Sequence, residues 1–177
     1  MTGCNTGRPR LGSKLRKHPT FPAWFKELDG EIAKLGSYNW IVIAEPSFPS
    51  LSRSGITTLT APATSPEALD VVFQVIDSNG HTKPRIYLTR ESAALNESET
   101  PGIDKFRSQL KIALHGREAE TLTQDALEIL LTDAKKKYRV LVLKTTSSYA
   151  YSSIFLELES GYWDGESETS LRKRLNR

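Results

Sequence analysis

The sequence predicts an α/β domain of three layers, α/β/α, with helices on both faces of a central sheet of five or six strands. Three observations carry this. Short continuous apolar runs, such as Ile41-Val42-Ile43-Ala44, have the length and composition of strands covered on both faces. Segments with apolar residues at helical spacing alternate with those runs, the chain order of an α/β fold rather than of segregated helices and strands. Finally, 177 residues, 38% of them hydrophobic, are enough for the core of one ordinary domain.

The elements follow in order. Trp24, Leu28, Ile32 and Leu35 recur at helical spacing, and Gly36 follows as a stop. The strand at 41–44 is ended by Pro46 and Pro49. Residues 56–60 form a second, β-branched run. Ser65-Pro66-Glu67 reads as a helix start, with a capping Ser, Pro at the first helical position and an acid near the positive dipole end. Leu69, Val72, Phe73 and Ile76 give that helix a buried face, and Gly80 closes it. A third strand is predicted at 85–88, followed by a polar loop with one helical turn over 91–102. Phe106, Leu110 and Ala113 mark another helix, stopped by Gly116, and a short strand follows at 119–122. Thr123 caps a helix with Leu127, Leu130, Leu131 and Ala134 turned inward. The last strands are predicted at 140–144 and 154–158. The core expected from these patterns includes Leu28, Ile32, Ile41, Ile43, Val72, Phe73, Leu130, Val140 and Ile154.

The chain divides into a flexible basic leader (1–19), a folded domain (20–163) and a charged, frayed tail (164–177) without a core face. The net charge is +3, but Arg8, Arg10, Lys14, Arg16 and Lys17 put five positive charges and no acid into the leader, which leaves the rest at −2. Five basic residues support only salt-sensitive, nonspecific nucleic-acid binding, so a nucleic-acid function is the weakest reading. No apolar run approaches the roughly 20 residues of a membrane-spanning helix. A single Cys forms no intrachain disulfide, and with three scattered His it makes no structural zinc set, so no metal is expected. Met1-Thr2-Gly3-Cys4 resembles the end of a bacterial lipoprotein signal. If the gene starts upstream of Met1, a lipid on Cys4 would tether the domain to a membrane.

General catalytic motifs are missing from the sequence: it has no Gly-rich phosphate loop, no G-x-S-x-G and no His pair at metal spacing. His18 lies in the leader, His81 follows a helix-ending Gly, and His115 falls in a last helical turn, where a cation suits the dipole. Two polar clusters remain. Thr145-Thr146-Ser147-Ser148-Tyr149-Ala150-Tyr151-Ser152-Ser153 separates two apolar strands. It reads either as a hydroxyl-rich turn bonding its own backbone or as the wall of a pocket for a polyhydroxylated ligand, and composition favours the turn. Leu35-Gly36-Ser37-Tyr38-Asn39-Trp40, together with Glu45-Pro46-Ser47-Phe48-Pro49, flanks the first strand. Glu45 stands just past its C-terminal end, where open α/β sheets bind ligands.

These clusters resemble the RbsD/FucU family of ribose pyranases and fucose mutarotases. The family's early segment runs helix, R-L-G-H-x-D, apolar strand, A-D-A-x-x-P, and the stretch from Lys34 to Pro49 is similar. Its late segment runs R-T-G-E-x-x-x-Y-x-N, apolar strand, then Gly, and the stretch from Lys144 to Leu156, with Gly161, is similar. The resemblance spans about residues 20–163. It implies a cofactor-free sugar isomerase with a monosaccharide partner, forming homo-oligomeric rings, often decamers, with pockets at subunit contacts, in the cytoplasm. Residue by residue, the family's proton-transferring His corresponds to Ser37 and its sugar-contacting Asp to Glu45. A second His corresponds to Gln124, the Tyr is kept as Tyr151, the Asn becomes Ser153 and the Glu of T-G-E becomes Ser147. The resemblance therefore implies substrate binding by Ser37, Glu45, Gln124, Tyr151 and Ser153, with Glu45 and Tyr151 left as base and acid. Ser and Gln do not shuttle protons near neutral pH as His does, and one lost acid–base group typically costs about 10²–10⁴-fold in rate. The expectation is a monosaccharide-binding protein with weakened or altered mutarotase or pyranase catalysis. The alternative is a non-catalytic sugar- or polyol-binding module.

Overall fold

The computed structural model describes residues 22–176. The expectations for the basic leader, Cys4 and His18 lie outside the described residues. The order is α1 (Phe25–Ile32), β1 (Trp40–Ala44), β2 (Ile56–Thr60), α2 (Ser65–Asn79), β3 (Thr82–Thr89), α3 (Arg90–Ala94), α4 (Ile103–Ala113), β4 (Ala119–Leu122), α5 (Gln124–Lys137), β5 (Val140–Lys144), β6 (Ile154–Ser160) and α6 (Gly165–Leu175). The six strands form one sheet in the order β2-β5-β1-β6-β3-β4. β1 runs parallel to β5, β5 to β2, and β3 to β4, whereas β6 is antiparallel to both of its neighbours, β1 and β3.

Side chains on the strands alternate between two cores. Ile41 and Ile43 of β1, with Leu141, Leu143, Ile154 and Leu156, face α1, α2 and α4. Trp40, Val42 and Ala44, with Val140, Val142 and Phe155, face α5. β1 and β5 are therefore apolar at successive positions because both of their faces are covered, as the continuous runs predict. The edge strands β2 and β4 carry Thr and Glu at their exposed positions, which suits strands with one side in water.

Four local expectations are corrected. Leu130 is not in the core: it is 40% exposed. Leu127, Leu131 and Ala134 form the buried stripe of α5, and no other helix contributes a buried residue to that core among the described residues, so Leu130 and Ile129 face outward. The cap of α2 is Thr64 rather than Ser65. Thr64 and Glu67 make a reciprocal capping box, which frees Ser65 for burial. α1 ends at Ile32, and Leu35 is buried beyond the helix rather than within it. The expected frayed tail contains α6, capped by Asp164, whose carboxylate accepts the Ser167 N–H at 2.7 Å, although none of its residues is buried. The other expected core residues, from Leu28 to Ile154, are all buried.

Candidate functional site at the C-terminal edge of the sheet

β5 and β6 lie on opposite sides of β1, so the link between them, residues 145–153, must pass over the C-terminal end of β1. The hydroxyl-rich stretch is thereby carried across Glu45. Its first half is structural. Thr145 Oγ1 donates to the Ala44 carbonyl (3.0 Å) and accepts from Ser65 Oγ (2.8 Å), and Ser147 Oγ accepts the Ser65 N–H (2.8 Å). All three side chains are at most 5% exposed. The turn reading holds there, because buried hydroxyls need partners and have found them in the backbone and in each other.

The second half of the link meets Glu45. Ser153 Oγ donates to Glu45 Oε2 and also accepts the Glu45 N–H at 3.4 Å. Glu45 has no other side-chain bond among the described residues, so its Oε1 is open to a ligand. Tyr151, 42% exposed, occupies the left-handed region at φ 57°. For a residue with a Cβ this costs about 1–2 kcal/mol. Thr89, buried at the end of β3, helps hold the turn by donating from Oγ1 to the Tyr151 carbonyl (2.7 Å). The same Thr89 oxygen accepts the Ser92 N–H (3.2 Å) and caps α3. Thr89 was missed at the sequence level. Its only signal is a Thr at a strand end with a short helix beginning at the next residue. The Tyr151 hydroxyl has no hydrogen-bond partner among the described residues. A cavity of about 280 Å³ opens beside this turn, bounded by Thr89, Tyr151, Ser152 and Ser153 and, across from them, by α4.

Of the five residues expected to converge, Tyr151 and Ser153 line the cavity, and Glu45, which does not, is bonded to Ser153. Gln124 follows β4 at the same edge. Its N–H donates to the Glu91 carboxylate (3.0 and 3.1 Å) and its side-chain amide to Glu128 (3.0 Å), and it does not line the cavity. Ser37 precedes β1 and lies at the opposite edge, about 16 Å away or more at ~3.3 Å per strand residue. There it lines a separate cavity of about 410 Å³ with Tyr38 and Trp163. Within one chain Ser37 is therefore not part of the Glu45 edge. Neither described His belongs to the site: His81 bonds the Leu35 carbonyl (2.9 Å) and His115 bonds Asp70 (2.5 Å). Tyr87 also stands apart, on the α5 face. Burial and its hydrogen bond to Glu157 (3.0 Å) push its hydroxyl up to about 12, so it stays a neutral donor.

Fold and site together define a single mixed sheet with a carboxylate, hydroxyls and an exposed phenol at its C-terminal edge. Solved structures of the same fold are those of RbsD and FucU. RbsD from Bacillus subtilis, solved with D-ribose, is similar at 21% identity and a TM-score of 0.53, covering 82% of this chain and 98% of that one. FucU from Bifidobacterium longum is similar at 18% identity and a TM-score of 0.51, covering 78% and 95%. The fucose mutarotase of Streptococcus pneumoniae, solved with L-fucose, is similar at 20% identity and a TM-score of 0.50, covering 82% and 98%. No family model and no curated protein matches the chain. The chain thus has the RbsD/FucU fold.

Proposed function

We propose that the protein binds monosaccharides at the Glu45–Tyr151 edge and that its interconversion of sugar anomers or ring forms is strongly weakened. The observation that carries this is the pairing of Glu45 with Ser153 beside Tyr151, on a fold whose solved examples hold D-ribose and L-fucose. A carboxylate with one oxygen tied and one open can accept sugar hydroxyls. A Tyr ring covers a sugar's apolar face while its hydroxyl bonds outward. Ser153 serves as a further binding group, Gln124 does so by exchanging its bond to Glu128 for one to the ligand, and Ser37 joins from a neighbouring subunit of a ring-shaped, cytoplasmic homo-oligomer.

Mutarotation breaks the bond between the anomeric carbon and the ring oxygen. The anomeric hydroxyl gives up its proton and becomes the carbonyl, the ring oxygen gains a proton, and reclosure on the other face reverses both transfers. Glu45 is the base available at this edge and Tyr151 the acid. A phenol is a weaker proton donor near neutral pH than the imidazole it would replace. The absence of any described imidazole from the site favours the second reading, a binding module without turnover.

Anomeric exchange of D-ribose, L-fucose and D-galactose, followed by NMR with and without protein, tests this. Saturable binding with exchange within a few-fold of buffer is expected. Tyr151→Phe should weaken binding by about 0.5–1.5 kcal/mol, and Glu45→Gln by about 1.5–3 kcal/mol if the bond it loses is charge-assisted. Strong acceleration by the wild-type protein would overturn the weakened-catalysis reading, and no binding of any sugar would overturn the site.

A further inference from the structure

The cavity beside Tyr151 is divided by chemistry. Thr89, Tyr151, Ser152 and Ser153 form its polar side, and Glu45, which does not line the cavity, is tied to that side by its hydrogen bond with Ser153. The opposite wall is made mostly by Leu88, Ala93, Phe106, Leu110 and Leu114, with Lys111 and Thr121 also lining the cavity. That wall is rigid. Phe106 is 2% exposed, its ring packs against Tyr149 at 5.2 Å, and Leu110 is 7% exposed. Arg107, which also lines the cavity, is committed elsewhere: its guanidinium donates to the Ser92 and Leu95 carbonyls and pairs with Asp104. A free sugar, bearing a hydroxyl on nearly every carbon, would leave this wall unmatched and would lose hydration against it. A space of about 280 Å³ is also far larger than a single methyl group needs. An apolar cavity of about 150 Å³ already holds a benzene ring.

We propose that the ligand is a sugar carrying a phenyl-sized apolar substituent, with its hydroxyls on Glu45 and Tyr151 and the substituent seated between α3, α4 and the end of β3. This rests on the monosaccharide reading of the same edge and adds the class of ligand. The polar and apolar walls meet at Thr89 and Tyr151, so one amphiphilic molecule satisfies both where a sugar or a hydrocarbon alone satisfies one.

The test is a titration of the full chain with D-ribose, L-fucose and D-galactose, and with the phenyl α- and β-glycosides of each, read by calorimetry and by the methyl NMR signals of Ala93, Leu110 and Leu114. At least one phenyl glycoside should bind about tenfold or more tightly than its free sugar. It should shift those three methyl signals where the free sugar does not. Ala93→Glu, a change at an exposed position of α3 that places a charge in the slot, should bring the ratio of the two affinities to about one. Equal affinities of free sugar and glycoside in the wild-type protein would overturn the apolar slot and leave the sugar site standing. Phenyl glycosides that bind and shift those signals while no free sugar binds would uphold the slot and remove the monosaccharide reading. Failure of every compound to bind would remove both.

Discussion

The two ends of the sheet are fastened by different means. At each end an exposed Tyr sits in the left-handed region, Tyr38 at φ 69° and Tyr151 at φ 57°. At the N-terminal edge the surrounding structure is held largely by backbone groups. The Tyr38 N–H donates to the Leu158 carbonyl (2.7 Å), and Asn39 spends its side chain on the Gly36 carbonyl and the Arg139 N–H. Gly161 lies so close to the Gly80 carbonyl that an added Cβ would come within 2.6 Å. Tyr38 itself stacks on Tyr138 (5.5 Å), so its ring has a structural partner. At the C-terminal edge buried side-chain hydroxyls do the fastening, and the carboxylate and phenol they position have groups left over. Unspent hydrogen-bonding capacity, rather than an exposed aromatic or an unusual φ, separates the edge proposed as the site from the other one.

The largest effects should come from breaking each fastening in its own way. Thr145→Val leaves the buried Ser65 hydroxyl without a partner and should cost about 1–3 kcal/mol in urea unfolding. Adding Ser65→Ala should then cost less than the sum of the two single changes, because the orphaned donor is gone. Gly161→Ala should cost a comparable ~1–3 kcal/mol by overpacking the backbone at the other edge, with sugar affinity unchanged. A change in affinity there would mean the two edges are coupled.

A smaller effect distinguishes the edges by pH. The backbone N–H and hydroxyl of Thr64 hold the Glu67 carboxyl below its usual value, next to Ser65. A depressed carboxyl contributes stability that is present above its ordinary pKa and is lost as pH falls through the folded one. Thr64→Ala should therefore cost about 1 kcal/mol at neutral pH, and the gap from wild type should narrow in urea melts taken at acid pH. A gap independent of pH would show that the capping box does not operate as a charged unit. The smallest effects come from the two tyrosines. Tyr151→Gly and Tyr38→Gly each relieve an unfavourable φ and should change stability by less than about 1 kcal/mol. Only Tyr151→Gly should abolish sugar binding in the NMR titration. Equal loss from both would make Tyr38, beside Ser37 of a neighbouring copy, as important to the site as Tyr151.

Legibility followed the range of the forces involved. The uninterrupted Ile41-Val42-Ile43-Ala44 run and the Leu69, Val72, Phe73 and Ile76 stripe announced a doubly covered strand and a packed helix, because periodicity records burial directly. Leu130 failed that test: its spacing allows burial, but only a neighbouring helix could have covered it. Ser65 looked like a cap because Ser-Pro-Glu is a local signal, yet a Thr one residue earlier bonds Glu67 better, and Ser65 turns inward to Thr145, 80 residues away.

The same division holds at the site. Glu45 and the Thr145 to Ser153 stretch were visible as polar residues at the ends of apolar strands, and their resemblance to sugar-handling motifs lay in residue type and order. That β6 pairs with β1 and not with β5, and so draws Ser153 over Glu45, was decided only by the packing of the whole sheet. So were the pairing of Thr89 with Tyr151 and the parting of Ser37 from the other candidates. Sequence determines these features where neighbours along the chain suffice to bury or cap a residue. Contacts between residues tens to a hundred positions apart depend on strand order, which no local pattern encodes.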